Sequence, residues 1–146
     1  MEMRVHLLIV VAVLVLVLPG CGAMMHPRAG EFLDQARGAT GLETMANLLA
    51  RMETTAKAAR TGQDFEANLS ALHDQQHAFK TALCDVTEAQ AKTPAYAKLK
   101  TLNSELRPIM HRLMHHKGEA AVREGHLDLY LKRIGELKET LSAVKA

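Results

Sequence analysis

The chain has 146 residues, a formal net charge of +2, 3% aromatic residues and no Trp. That length bounds it to one small domain with a single core, and a composition rich in Ala, Leu, Met, Glu and Lys favours helices over sheets. So small a charge, with no basic patch interleaved with aromatics, argues against a nucleic-acid partner.

The N-terminus carries Arg4 and His6 and then an apolar run over residues 7–18. About a dozen residues is short of the roughly 20 that a spanning helix needs, and matches the h-region of a secretory signal. Leu18-Pro19-Gly20-Cys21 closes the run. A cysteine directly after a small residue at this place resembles a bacterial lipobox, although Pro19 departs from the usual small or aliphatic residue. The resemblance implies cleavage before Cys21 and lipid on its sulfur and new amino group. The expected location is therefore the bacterial envelope, lipid-anchored and facing the periplasm. Gly22 after Cys21 is compatible with delivery to an outer membrane. With Cys21 lipidated, Cys84 is the only thiol left, so no intramolecular disulfide staples the fold. Cys84 reads as a small packing residue.

Residues 22–30, with Met24, Met25, His26 and Pro27, read as a tether, and 31–37 as a short helical turn before the break at Gly38-Ala39-Thr40-Gly41. The first long helix starts at Thr40, with Glu43 at capping-box spacing, and ends near Arg60. Its stripe is Met45, Leu48, Leu49, Met52, Ala56 and Ala59. The second takes Thr61 as its cap, holds Asp64 in its first turn, and carries Phe65, Leu69, Leu72, Phe79, Leu83 and Val86. The third begins at Thr93-Pro94 and carries Leu99, Leu102, Leu106, Ile109, Leu113, His116 and Ala120. Pro108 inside that pattern is expected to kink or split it. A turn at Arg123-Glu124-Gly125 precedes the fourth, whose stripe is Leu127, Tyr130, Leu131, Ile134, Leu137, Leu141 and Val144.

The expected architecture is all-α: an up-down-up-down antiparallel four-helix bundle at 41–146, after a signal peptide at 1–20 and a tether at 21–40. In that topology Met45, Val86, Leu99 and Lys145 share one end.

The run Leu42-Glu43-Thr44-Met45 with Leu48 and Met52, the turn after Arg60, and the tail Glu124-Gly125 followed by Leu137-Lys138-Glu139-Thr140 resemble the cytochrome b562 family. The resemblance spans roughly residues 42–146, its middle in layout alone. It implies a periplasmic bundle that holds haem b non-covalently, through a Met sulfur early in the first helix and a His nitrogen late in the last, and transfers electrons. Met45 falls on the Met position and Lys145 on the His position. A Lys amine ligates iron only when deprotonated, and its free pKa of about 10.4 opposes that at neutral pH. His26, on the tether, could swing to the Met45 end. By residue type alone Met45 reads as a core methionine. No Cys-x-x-Cys-His is present, which excludes covalent haem attachment.

Two histidine pairs support a second reading. His73 and His77, and His111 and His115, are each four apart, which puts two imidazoles on one helix face. The pairs could converge on one zinc or copper ion, and Met110 and Met114 are thioethers that favour Cu(I). At about 100° per residue, His73 and His77 lie roughly 90° and 130° off their apolar stripe, and His111 and His115 about 180° off theirs. Those angles place them on polar faces. His116 lies on the apolar line and reads as a buried, hydrogen-bonded histidine. A third reading is a structural or interaction lipoprotein without a cofactor. No Ser/His/Asp or Cys/His arrangement and no phosphate loop is visible, so a non-catalytic role is expected.

Overall fold

The computed structural model describes residues 26–116 and 118–144. Within them the chain is all-helical, with six helices and no strand. They are α1 (Pro27–Ala36), α2 (Gly41–Arg60), α3 (Phe65–Ala82), α4 (Glu88–Ala91), α5 (Pro94–His115) and α6 (Ala120–Ser142). The apolar run at 7–18, Cys21 and Lys145 lie outside the described residues. Among those described, no helix is long and apolar enough to cross a membrane.

Local chemistry sets most of the boundaries. Thr40 is extended at φ −132° and its Oγ1 accepts from the Glu43 amide, which starts α2. Glu43 reaches back with Oε2, accepting from the Ala39 amide at 2.7 Å rather than from the cap itself. Thr61 caps the C-terminus of α2, not the start of α3 as its residue type suggested, and its hydroxyl donates to the Ala58 carbonyl. Gly62 and Asp64 then take left-handed backbone, φ 79° and 46°, to turn the chain into α3. The unexpected α4 is one turn held by a capping box between Thr87 and Gln90. Thr93 and Pro94 open α5 as expected, Thr93 Oγ1 accepting from the Tyr96 amide.

The core follows the stripes within the helices; Leu83 and Val86 lie past the end of α3, and Ala120, expected on the third helix, instead opens α6 and is exposed. Met45, Leu48, Leu49, Met52, Leu72, Phe79, Leu99, Leu106, Tyr130 and Leu137 are fully enclosed. At one end Tyr96 is buried too, its hydroxyl donating to the Leu83 carbonyl at 2.6 Å. Around this core α2 packs against α3 and α6, and α5 packs against α6 and, more briefly, α3. Across the α2–α6 seam Lys138 pairs with Glu53, and Arg60 with Asp128 at 3.1 Å.

Three expectations are corrected. Pro108 does not split its helix: α5 runs unbroken from Pro94 to His115, with Pro108 on an exposed face. The turn at 123–125 is absent. The last helix begins at Ala120 and passes through Gly125, because its first turns are anchored: the Arg123 guanidinium lies 4.7 Å from the Phe65 ring centroid on α3, and a His126 ring nitrogen sits 2.7 Å from the Val122 carbonyl. His116 is not buried. It lies beyond the last turn of α5, exposed, with Nδ1 2.9 Å from Glu119 Oε1.

The segment read as tether and helical turn holds α1, which packs on α2 and α3. Ala29 and Ala36 are buried, and Phe32 and Leu33 cover the core beside them. Side chains of α2 take the free carbonyls at its end: Asn47 donates to Ala36 O at 3.0 Å, and Arg51 to Gln35 O and Oε1.

Candidate metal centre

The docking of α1 fixes His26, its N-cap residue, against α3. On α3, His73 and His77 are one turn apart with ring centroids at 4.8 Å, edge to face. His26 lies 4.8 Å from His73, nearly perpendicular, and stacks on His77 at 3.6 Å with 17° between planes. All three are half-buried, and one ring nitrogen from each falls within 4.8 Å of the others, close enough to hold a metal ion.

The surroundings keep the imidazoles of α3 neutral. Burial first, then repulsion from His26, holds His73 below its usual range, with Asp74 opposing. Burial first, then His26, His73 and Lys80, pushes His77 down to about 4 against the pull of Asp74. At neutral pH both rings therefore present lone pairs, the form that binds metal.

Zinc or copper to imidazole bonds of roughly 2.0–2.1 Å would put the nitrogens of a tetrahedral site about 3.3 Å apart. The cluster must contract to reach this. The stacked pair must also open, because parallel rings aim their lone pairs along parallel planes and not at one point. His26 stands at the end of a helix, where a ring can turn with the least disturbance. His73 also borders a cavity of about 120 Å³ with Glu66, Leu69, Ser70 and Met114.

The two histidine pairs do not converge. His111 and His115 face each other at 4.2 Å, tilted by 45°, but both are exposed and neither joins the His26 group. The third imidazole that the sequence reading sought on α5 comes from α1. A signal for it exists in the sequence. Ala29, Phe32, Leu33 and Ala36 are spaced as the buried face of a helix, which makes residues 27–36 part of the domain.

Among the described residues, which do not include Lys145, none placed beside Met45 fits the haem implied by the resemblance. Met45 has no exposed surface and borders neither this cavity nor the larger one, of about 590 Å³, at its end of the molecule. The lining of the larger cavity, which includes Leu33, Arg37, Thr44, Asp85, Val86 and Gln90, holds no His, Met, Cys or Tyr to ligate iron. Met45 is a core methionine. Cys84 is exposed with a free thiol, not packed inside.

No protein-family model matches the chain, and neither a curated protein nor a solved structure matches it.

Proposed function

We propose that this chain is a lipid-anchored protein of the bacterial envelope, non-catalytic, that binds one transition-metal ion, zinc or copper, between its leading helix and its core. The observation that carries the reading is the trio His26, His73 and His77, with nitrogens within 4.8 Å of one another on two packed helices. The two imidazoles of α3 are held neutral by burial first and then by repulsion from His26. The location rests on the lipobox-like Leu18-Pro19-Gly20-Cys21. For the scaffold we propose an up-down-up-down antiparallel four-helix bundle made of α2, α3, α5 and α6. The short connections and the succession of neighbours around the core support it.

The test is equilibrium titration of the full chain in mild detergent with Zn²⁺ and with Cu²⁺ against a chromophoric chelator. One ion per chain is expected. The double substitution His73→Ala/His77→Ala is expected to weaken it more than ~100-fold, beyond the cost of losing an outer-shell partner. His111→Ala/His115→Ala is expected to change nothing. Uptake that is indifferent to His73 and His77 would falsify the assignment.

A further inference from the structure

We infer that Asp74 is the orienting carboxylate of this centre, and that through its charge the site prefers a divalent ion to Cu(I). The inference rests on the metal reading above and names the residue that sets the site's selectivity.

Asp74 lies on α3 between the two histidines and turns toward α1. It is a buried acid, 8% exposed. The groups facing it are His26 Nδ1, 3.8 Å from Oδ1, and Arg28 Nε, 3.9 Å from Oδ2. Both distances exceed a hydrogen bond. Its side chain keeps 12% of its surface exposed, and among the described residues no donor lies within hydrogen-bond distance of the carboxylate, so it is held loosely between two cations and free to take a closer partner.

Ion capture supplies that partner. For His26 to leave its stack on His77 and turn a nitrogen toward His73 and His77, its other nitrogen must point elsewhere. The Asp74 carboxylate is already on the Nδ1 side. A shortening of about 1 Å makes Nδ1–H donate to Oδ1 and leaves the Nε2 lone pair for the ion. This is the carboxylate–histidine–metal relay that fixes a ligand's tautomer and raises its basicity.

Charge gives the selectivity. Imidazole ligands bring no negative charge to a half-buried site. At equal distance the Asp74 carboxylate attracts a divalent ion twice as strongly as a monovalent one. The competing device is Met114, which is 46% exposed and borders the same cavity as His73. A thioether there would favour Cu(I) instead. Arg28 acts against the ion, since it is a second cation drawing on the same carboxylate.

The experiment uses the full chain in mild detergent. Zn(II), Cu(II) and, under reducing conditions, Cu(I) are each measured by chelator competition for the wild type and for Asp74→Asn, Arg28→Ala and Met114→Leu. Asp74→Asn should lose about 10- to 100-fold in Zn(II) and Cu(II) affinity and clearly less in Cu(I) affinity, which shares the loss of orientation but feels the lost charge half as strongly. The Cu(II)/Cu(I) potential should then rise by about 59 mV for each tenfold of that difference. Arg28→Ala, an exposed change that leaves the carboxylate in place, should strengthen divalent binding several-fold. Equal losses for Cu(I) and Cu(II) in Asp74→Asn, or no loss, would overturn the inference while leaving the metal reading intact. So would a wild type that prefers Cu(I) and loses that preference with Met114→Leu. A wild type that takes up no ion would overturn both.

Discussion

Glu53 of α2 lies between two ammonium groups, Lys138 of α6 and Lys57 one turn along its own helix. The hydrogen bond from Lys138, then that from Lys57, holds its carboxyl down at about 2 against an ordinary 4.5. Because the folded state binds this proton less readily than the unfolded one, the pair's stabilisation is complete above about pH 4.5. It fades as the pH falls toward 2. Glu53→Gln is expected to cost about 1 kcal/mol at pH 7, the upper range for partly exposed pairs. The cost should shrink toward nothing at pH 2, as read from urea unfolding at the two pH values. Single residues of this kind were only partly legible in the sequence. The apolar identity of Met45 was enough to place it in the core, where it has no exposed surface. His116 was misplaced because an apolar line was extended past the point where the backbone leaves the helix. The role of Asp74 could not be read at all, since it depends on a residue 48 positions earlier meeting it in space.

At the level of helices, period and caps carried the reading. The four long stripes hold within the helices and fail at their ends, where Leu83 and Val86 lie past α3 and His116 and Ala120 past α5, while Thr40 and Thr93 cap where their residue type predicts. Misreadings came from residues whose propensity was overruled by packing. Gly125 marks a break only if nothing holds the helix on either side of it. Here Arg123 against Phe65 does so. Space beside Gly125 and Gly135 is open to a Cβ. Gly125→Ala and Gly135→Ala are therefore each expected to raise stability by about 0.5–1 kcal/mol, checked by urea midpoints. Pro108 deprives the Ser104 carbonyl of its helical donor while the helix continues. Pro108→Ala is expected to raise stability by about 1–3 kcal/mol, and a melting point that does not move would show that α5 has already absorbed the cost. The leading helix was read short for a different reason: residues 27–30, beside the expected membrane anchor, read as tether by position and 31–37 only as a helical turn, although the spacing across 27–36 is amphipathic.

On the scale of the molecule, the metal reading makes a prediction about cohesion. α1 is joined to the rest by its own packing, by the hydrogen bonds of Asn47 and Arg51 to its C-terminal end, and by the contacts of His26 and Arg28 with α3. An ion held by residues of both helices stabilises the assembled form. At a hundredfold excess over Kd the gain is about 2.7 kcal/mol, worth roughly 10 °C in melting temperature. Hydrogen exchange should locate it. Amides of α1 are expected to slow on adding Zn²⁺, and a change confined to α5 and α6 would contradict that. At the opposite end of α1 there is a point with no give. A Cβ added at Gly41 would collide with the Asp85 carbonyl, so the first residue of α2 and the loop after α3 touch backbone to backbone. The consequence is an uneven map of mutational tolerance. In a saturation library sorted for folded chains, nearly every exposed position should accept most side chains. Position 41 should return glycine alone, and the positions around Asp85 should tolerate changes of side chain but not of chain length.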